Sequence, residues 1–324
     1  MLDFLYAQAG RARRRYYERH PEARRRLRHP VISVGNLSVG GTAKTPLVAA
    51  VARKLLDRGE RPAILSRGYG RTDRVDGVVV VSDGQRVLAE LARAGDEPLM
   101  LARALPGARV VVDEDRYLAG RLAEQHLGAT VHILDDGFQH VQLARDLDIL
   151  MTRVGEASGR VLPFGRLRES PEAAARAHFA IVLDADLATA RREAWQLGVS
   201  ACAGARRVLE ATRSLESPVV AVAGIAQPAQ FFRMLHDAGY AIARTLAFAD
   251  HHVYRRQDVA RLAEAVKDSS AATVVTTEKD VVRLTAVGPL PFACVAVPMR
   301  LDIDGWDGLE ASIEAVLTRA REQT

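Results

Sequence analysis

Short apolar runs alternate with stretches of helical length along the first two thirds of the chain. Runs at 31–34, 63–65, 78–81, 110–112, 131–134, 149–151 and 180–183 are dominated by Val, Ile, Leu and Ala and predict strands. Helices are predicted between them over 45–58, 97–105, 116–127 and 187–197. The alternation predicts an α/β fold whose mostly parallel sheet is covered on both faces, with ligands at the carboxyl ends of the strands. A polar, turn-rich stretch at 212–218, TRSLESP, marks a boundary. Beyond it a second α/β pattern begins, with strands predicted at 219–222, 245–248, 273–276 and 293–297 and helices at 228–238, 256–266 and 306–321. The expected division is therefore 1–30, 31–213 and a smaller α/β domain over 214–324 that ends in a helix.

The first segment has its own pattern. Leu2, Leu5, Ala9, Ala12 and Tyr16 follow one helical stripe, with Arg on the opposite faces. A basic amphipathic helix lying on an anionic membrane surface fits this pattern, and so does a solvated helix packed on the body. The nine Arg and three acids of residues 1–30 carry +6, so the remainder carries about −1 against a net charge of +5. With the rest near neutral and no recognised nucleic-acid motif, nucleic-acid binding ranks last.

Composition narrows the class further. The 324 residues suit about two domains, and 48% hydrophobic content suffices for a sizeable core. Cys202 and Cys294 form no CxxC pair, which fits a reducing compartment and argues against a cysteine-rich zinc site. No apolar run approaches the roughly 20 residues that a spanning helix needs. Arg11 to Arg15 interrupt any signal-peptide core.

Residues 34–46, VGNLSVGGTAKTP, carry the chemistry. A strand, a Gly-rich turn ending in Lys-Thr and a helix make a phosphate-binding P-loop. Backbone amides from Gly40, Gly41, Thr42 and Ala43 into the helix start would cradle phosphate oxygens. Lys44 would neutralise the β/γ-phosphates, and the Thr45 hydroxyl would reach Mg²⁺. Ser38 and Ala43 depart from the strict pattern. Ala43 adds a methyl where phosphate passes close, which fits if its φ is negative and the methyl points away.

Five further segments follow predicted strands or open helices. Asp135 and Asp136 end a strand in LDDGFQH (134–140), where a P-loop protein places its Mg²⁺-holding acid; on an extended chain one would face the metal and the other turn aside. In GDEP (95–98), Asp96 reads either as the N-cap of a helix or as a general base in the cleft. Asp250-His251-His252 would orient or relay a proton, with a zinc pair and an ordinary polar loop as rivals. SRGYGR (66–71) would bind an anion or be solvated, and TTEKD (276–280) matches a guanine-specifying motif only loosely.

Together these segments resemble one family, the tetraacyldisaccharide 4′-kinases. The resemblance rests on the five motifs above, on LPFGRLRE (162–169), AGIAQP (223–228) and FADHH (248–252), and on their order along the chain. It implies a P-loop kinase domain with a smaller second α/β domain. It implies transfer of the ATP γ-phosphate to the 4′-hydroxyl of an acylated glucosamine disaccharide 1-phosphate, with ATP and Mg²⁺ bound. It also implies attachment to the cytoplasmic face of the bacterial inner membrane through an amphipathic N-terminal helix, peripheral or monotopic. Asp96 would be the base and His251 its partner, with Asp250 beside them. Thr45, Asp135, Asp136 and Glu97 would surround the metal, and domain closure would complete the site. The chain departs from the family at Ala43, where Gly is usual, and at Phe164 and Arg166, where a small residue and commonly Pro stand. A membrane-associated nucleotide switch with no lipid acceptor is the alternative from another class.

Overall fold

The computed structural model describes residues 2–41, 43–73, 76–210 and 218–322, with side chains described from residue 11 onward. Helix α1 (Leu2–Arg19) precedes β1 (Val31–Asn36) and α2 (Lys44–Asp57). The chain continues through β2 (Pro62–Ser66), β3 (Val79–Asp83), α3 (Leu91–Ala94), α4 (Asp96–Ala104), β4 (Arg109–Val112) and α5 (Arg116–Leu127). Then come β5 (Val131–Asp135), β6 (Leu147–Arg153), β7 (Phe179–Leu183), α6 (Leu187–Gln196) and β8 (Cys202–Leu209). The second pattern holds β9 (Val219–Ala223), α7 (Pro228–Asp237), β10 (Ile242–Ala247), α8 (Arg256–Asp268), β11 (Thr273–Thr277), α9 (Glu278–Thr285) and β12 (Ala293–Val297). β13 (Met299–Asp304) and α10 (Trp306–Glu322) close the chain.

Among the described residues these strands form two sheets. The larger has the order β13-β8-β7-β6-β1-β5-β2-β4-β3, and the smaller is β10-β9-β11-β12. The smaller is parallel throughout; the larger is parallel except at its edges, where β3 runs against β4 and β13 against β8. Central strands are covered on both faces, so β1, β2, β5 and β7 are buried at every position. That double burial explains why they read as continuous apolar runs rather than as alternation. β1 sits between β5 and β6, so the loops leaving β1 and β5 emerge side by side, Val34 level with Asp135.

The expected C-terminal division is corrected. β13 does not belong with the smaller sheet: Met299 pairs with Leu209 and Asp304 with Gly204 at the edge of the larger one. α10 then buries Leu309, Ile313, Val316 and Leu317 in the core of that larger sheet. The physical reason is the apolar stripe of α10, which has to be buried against another element. Arg58 and Lys54 of α2 hold the same helix through Glu310 at 2.6 and 3.1 Å. The predicted boundary at 212–218 falls almost entirely outside the described residues.

Helix α1 is fastened to the body by its basic residues. Arg13 donates to Gln142 Oε1 at 2.5 Å, Arg14 pairs with Glu169, and Arg11 lies 3.5 Å from Glu172. Ala12 and Tyr16 of the apolar stripe face outward, Tyr16 at 53% exposure. The side chains of Leu2, Leu5 and Ala9 lie outside the described residues. Among the described residues no helix is long and apolar enough to cross a membrane.

Candidate active site

β1 delivers the chain into the loop that begins at Leu37, and α2 begins at Lys44. The helix start aims its free amides and positive dipole end at the turn. Lys44 Nζ donates to Asn36 Oδ1 at 3.0 Å and lies 3.4 Å from Asp136. Thr45 is half-buried in the first helical turn, and Gly40 and Gly41 are exposed. Thr42 lies outside the described residues. Ala43 contradicts its expectation: it caps α2 with φ 56° and ψ 30°, in the left-handed region. The entry into the helix demands that conformation, which costs an L-residue with a Cβ about 1–2 kcal/mol. Glycine would adopt it without that penalty.

The acids at the end of β5 separate as the alternation of a strand suggests. Asp135 stays on the strand, buried, and accepts from Ser66 Oγ at 3.3 Å. Asp136 turns out with φ 56° and meets Arg168, whose two terminal nitrogens donate to its oxygens at 2.9 and 2.8 Å. Gly137 makes the turn possible, because its amide donates to Val34 O at 3.0 Å and any Cβ there would lie 2.5 Å from that of Leu134. Burial, followed by the charges of Glu97 and Asp136, pushes the Asp135 carboxyl up to about 7. Burial would push Asp136 up as well, but Arg168 and Lys44 outweigh it and hold that carboxyl at about 2. Asp135, Glu97 and the Thr45 hydroxyl are hard oxygen donors in a concentration of negative charge, which fits a divalent cation such as Mg²⁺. Among the described residues no three His, Cys, Asp or Glu groups form a self-sufficient metal cage. Mg²⁺ beside phosphates needs only one or two carboxylates.

Asp96 opens α4, but the N-cap is Gly95, so the capping expectation for Asp96 is corrected by one position. Gly95 holds φ 84°, and a Cβ there would lie 2.6 Å from Tyr69 O. This close approach presses the SRGYGR loop against the start of α4. The Asp96 carboxylate is 5% exposed and meets His251 Nδ1 at 2.9 Å. Lys279 Nζ and Arg283 Nε both stand 3.7 Å away. Burial works to raise the Asp96 carboxyl, but His251, Lys279 and Arg283 together hold it below its ordinary value. Lys279 also reaches Glu97 at 3.0 Å and His251 Nε2 at 3.1 Å. An ammonium donating to Nε2 leaves the ring proton on Nδ1, directed at Asp96. The pair lines a cleft of about 590 Å³ with Gly70, Tyr254 and Arg283. Its two members are already in contact, so closure is not required to bring them together.

The other members of the Asp-His-His segment part company. Asp250 is 41% exposed, accepts from the His251 amide at 3.0 Å and stands 3.9 Å from Lys279. His252 pairs with Asp258 at 3.1 Å and braces the start of α8, so the zinc-pair rival finds no support. Three important side chains were not singled out from the sequence: Arg168, Lys279 and Arg283. The first two lay in segments that had been noticed, LPFGRLRE and TTEKD. In TTEKD, Asp280 turns away from Lys279 and into the core, accepting from Gly224 N at 3.0 Å and Tyr254 Oη at 2.9 Å.

Asp136 gives a pH-dependent prediction. Its native carboxyl titrates near 2 against an ordinary 3.8, so its stabilising effect is present above 3.8 and is lost as pH falls through about 2. Asp136→Asn should lower the urea midpoint most at neutral pH, and the deficit should shrink on acidification from about 4 toward 2. A deficit that grew on acidification would contradict the assignment.

Comparison with known proteins agrees with this geometry. Residues 1–318 match the family described as tetraacyldisaccharide-1-P 4′-kinase. A tetraacyldisaccharide 4′-kinase from Geobacter metallireducens is 41% identical over 330 residues, covering 98% of this chain and 97% of that protein. One from Geobacter sulfurreducens is 40% identical, covering 97% and 91%. A crystal structure of LpxK from Aquifex aeolicus in complex with ATP superposes with a TM-score of 0.79 at 29% identity, covering 98% of this chain and 97% of that one. The chain belongs to the tetraacyldisaccharide 4′-kinase family.

Proposed function

We propose that this chain transfers the γ-phosphoryl group of ATP to the 4′-hydroxyl of a tetraacylated glucosamine disaccharide 1-phosphate. The observation that carries the reading is the pair of buried Asp96 and half-buried His251, joined through Lys279 to Glu97 beside the P-loop's acids. A nucleotide switch has no need of a buried carboxylate bonded to an imidazole beside an open cleft. The Aquifex relative was crystallised with ATP, and the P-loop here presents Lys44 where the β/γ-phosphates would lie.

Each group then has a physical task. Lys44 offsets charge on the transferring phosphoryl group, and the amides at the start of α2 hold the phosphates. Arg168 and Lys44 occupy Asp136 on both its oxygens, so Asp135 and the Thr45 hydroxyl, with Glu97 shared with Lys279, would hold Mg²⁺. Mg²⁺, when bound, neutralises phosphate charge. Asp96 orients the sugar hydroxyl. The new O–P bond forms as the bond to the ADP oxygen breaks, and the hydroxyl proton passes to Asp96. A carboxyl of low basicity suits a loose transition state in which that proton leaves late. His251 holds the carboxylate in place through Nδ1, and Asp250 supports the backbone of His251.

The direct test is phosphate transfer from labelled ATP to detergent-solubilised tetraacyldisaccharide 1-phosphate, with Lys44→Ala as control. Label should enter the lipid with wild type and fall by about 100-fold or more in the variant. ATP hydrolysis without transfer would favour the switch instead.

We also place α1 on the anionic cytoplasmic surface of the inner membrane, as a peripheral or monotopic element. Its basic residues fasten it to the body, while Ala12, Tyr16, Arg15 and Arg19 remain exposed for a headgroup surface. The double variant Arg15→Glu/Arg19→Glu should lower sedimentation with anionic vesicles by about tenfold, with no effect on neutral vesicles. Equal binding of both proteins to anionic vesicles would refute the placement.

A further inference from the structure

Three arginines from two places along the chain hold backbone carbonyls at the end of β1 and in the phosphate loop. Arg168 donates to Asn36 O at 3.1 Å, Arg166 donates to Val39 O at 3.1 Å, and Arg153 at the end of β6 donates to Gly41 O. The first limb of the loop is also zipped to the arginine-bearing segment. Val39 N donates to Arg166 O at 2.8 Å, and Arg168 N donates to Leu37 O at 2.6 Å. Two positions beyond Gly41 stands Ala43, in a conformation that its methyl group resists.

A phosphate loop works only while its peptide units turn their N–H groups toward the anion and their carbonyls away. Ala43 favours relaxation out of the left-handed region, and such a change would rotate neighbouring peptides and spoil that arrangement. A guanidinium bound to an outward carbonyl opposes the rotation. We propose that Arg166, with Arg153, is a positioning residue that keeps the phosphate loop in its binding conformation against the strain at Ala43. The proposal rests on the ATP-binding reading above and adds a dependence of ATP affinity on a side chain outside the P-loop motif. Arg166 is the informative member. It is exposed, so its removal leaves no buried cavity, and its terminal nitrogen lies 2.7 Å from where a Cβ on Gly40 would stand.

The test is ATP titration by calorimetry with Mg²⁺ present, on wild type, Arg166→Ala, Ala43→Gly and the double variant. Losing a charge-assisted bond should raise the ATP dissociation constant about tenfold in Arg166→Ala. With Ala43→Gly the strain is gone, so the same substitution should then cost about threefold or less. Arg166→Lys, which keeps a donor, should recover most of the affinity, while a role limited to charge near the loop would show no dependence on residue 43. Equal losses in both backgrounds would assign Arg166 a direct phosphate contact and overturn the positioning role. An unchanged dissociation constant in Arg166→Ala would overturn it as well. Failure of folded wild type to bind ATP at all would instead bring down the kinase reading, and this inference with it.

Discussion

A carboxylate as buried as Asp96 cannot stay charged without partners, and its own helix supplies one uncharged donor, the Glu97 amide at 2.9 Å. The compensating groups come from the other sheet: His251 after β10, and Lys279 and Arg283 from α9. This dependence makes the two sheets parts of one site. α9 packs on α4, and Val282 of α9 joins the core of the larger sheet. Asp280 on the same helix is itself fully buried, held by Gly224, Tyr254 and Arg283. Moving α9 would therefore break a buried network and strip Asp96 of its counter-charges together.

The same electrostatic logic divides labour around the P-loop. Arg168 and Lys44 claim Asp136 and Lys279 claims Glu97, so Asp135 is left with its carboxyl pushed up by burial and by the charges of those two acids. Lys279 touches Glu97 as well as His251, so it links the acidic side of the phosphate site to the Asp96 pair. Cations from the P-loop, the 162–169 segment and α9 thus hold in place acids that would otherwise repel one another.

Much of this was legible in the sequence. The doubly covered strands announced themselves as apolar runs, and the P-loop and its acid pair stood out by residue type and position. β8 and β13 did not, because an edge pair lacks a continuous apolar run; β13 carries Met299, Leu301 and Ile303 between Arg300, Asp302 and Asp304, an alternation that would have revealed it. Asp96 and His251 are 155 residues apart, and no spacing rule joins them; only the family resemblance did. Lys279 sits in a segment that matches a guanine-specifying motif only loosely, and nothing in that pattern directs it at Asp96. The left-handed φ of Ala43 was missed because residue type states a preference and not the turn that overrides it.

In the proposed mechanism Asp96 and His251 act as one unit assembled across the two sheets. The most direct measurement is the transfer rate at saturating ATP for Asp96→Asn, His251→Ala and the double variant. Groups that act together give losses that do not multiply. The double variant should be about as slow as the slower single one. Losses that multiply would mean that the two residues act independently, and would contradict that mechanism.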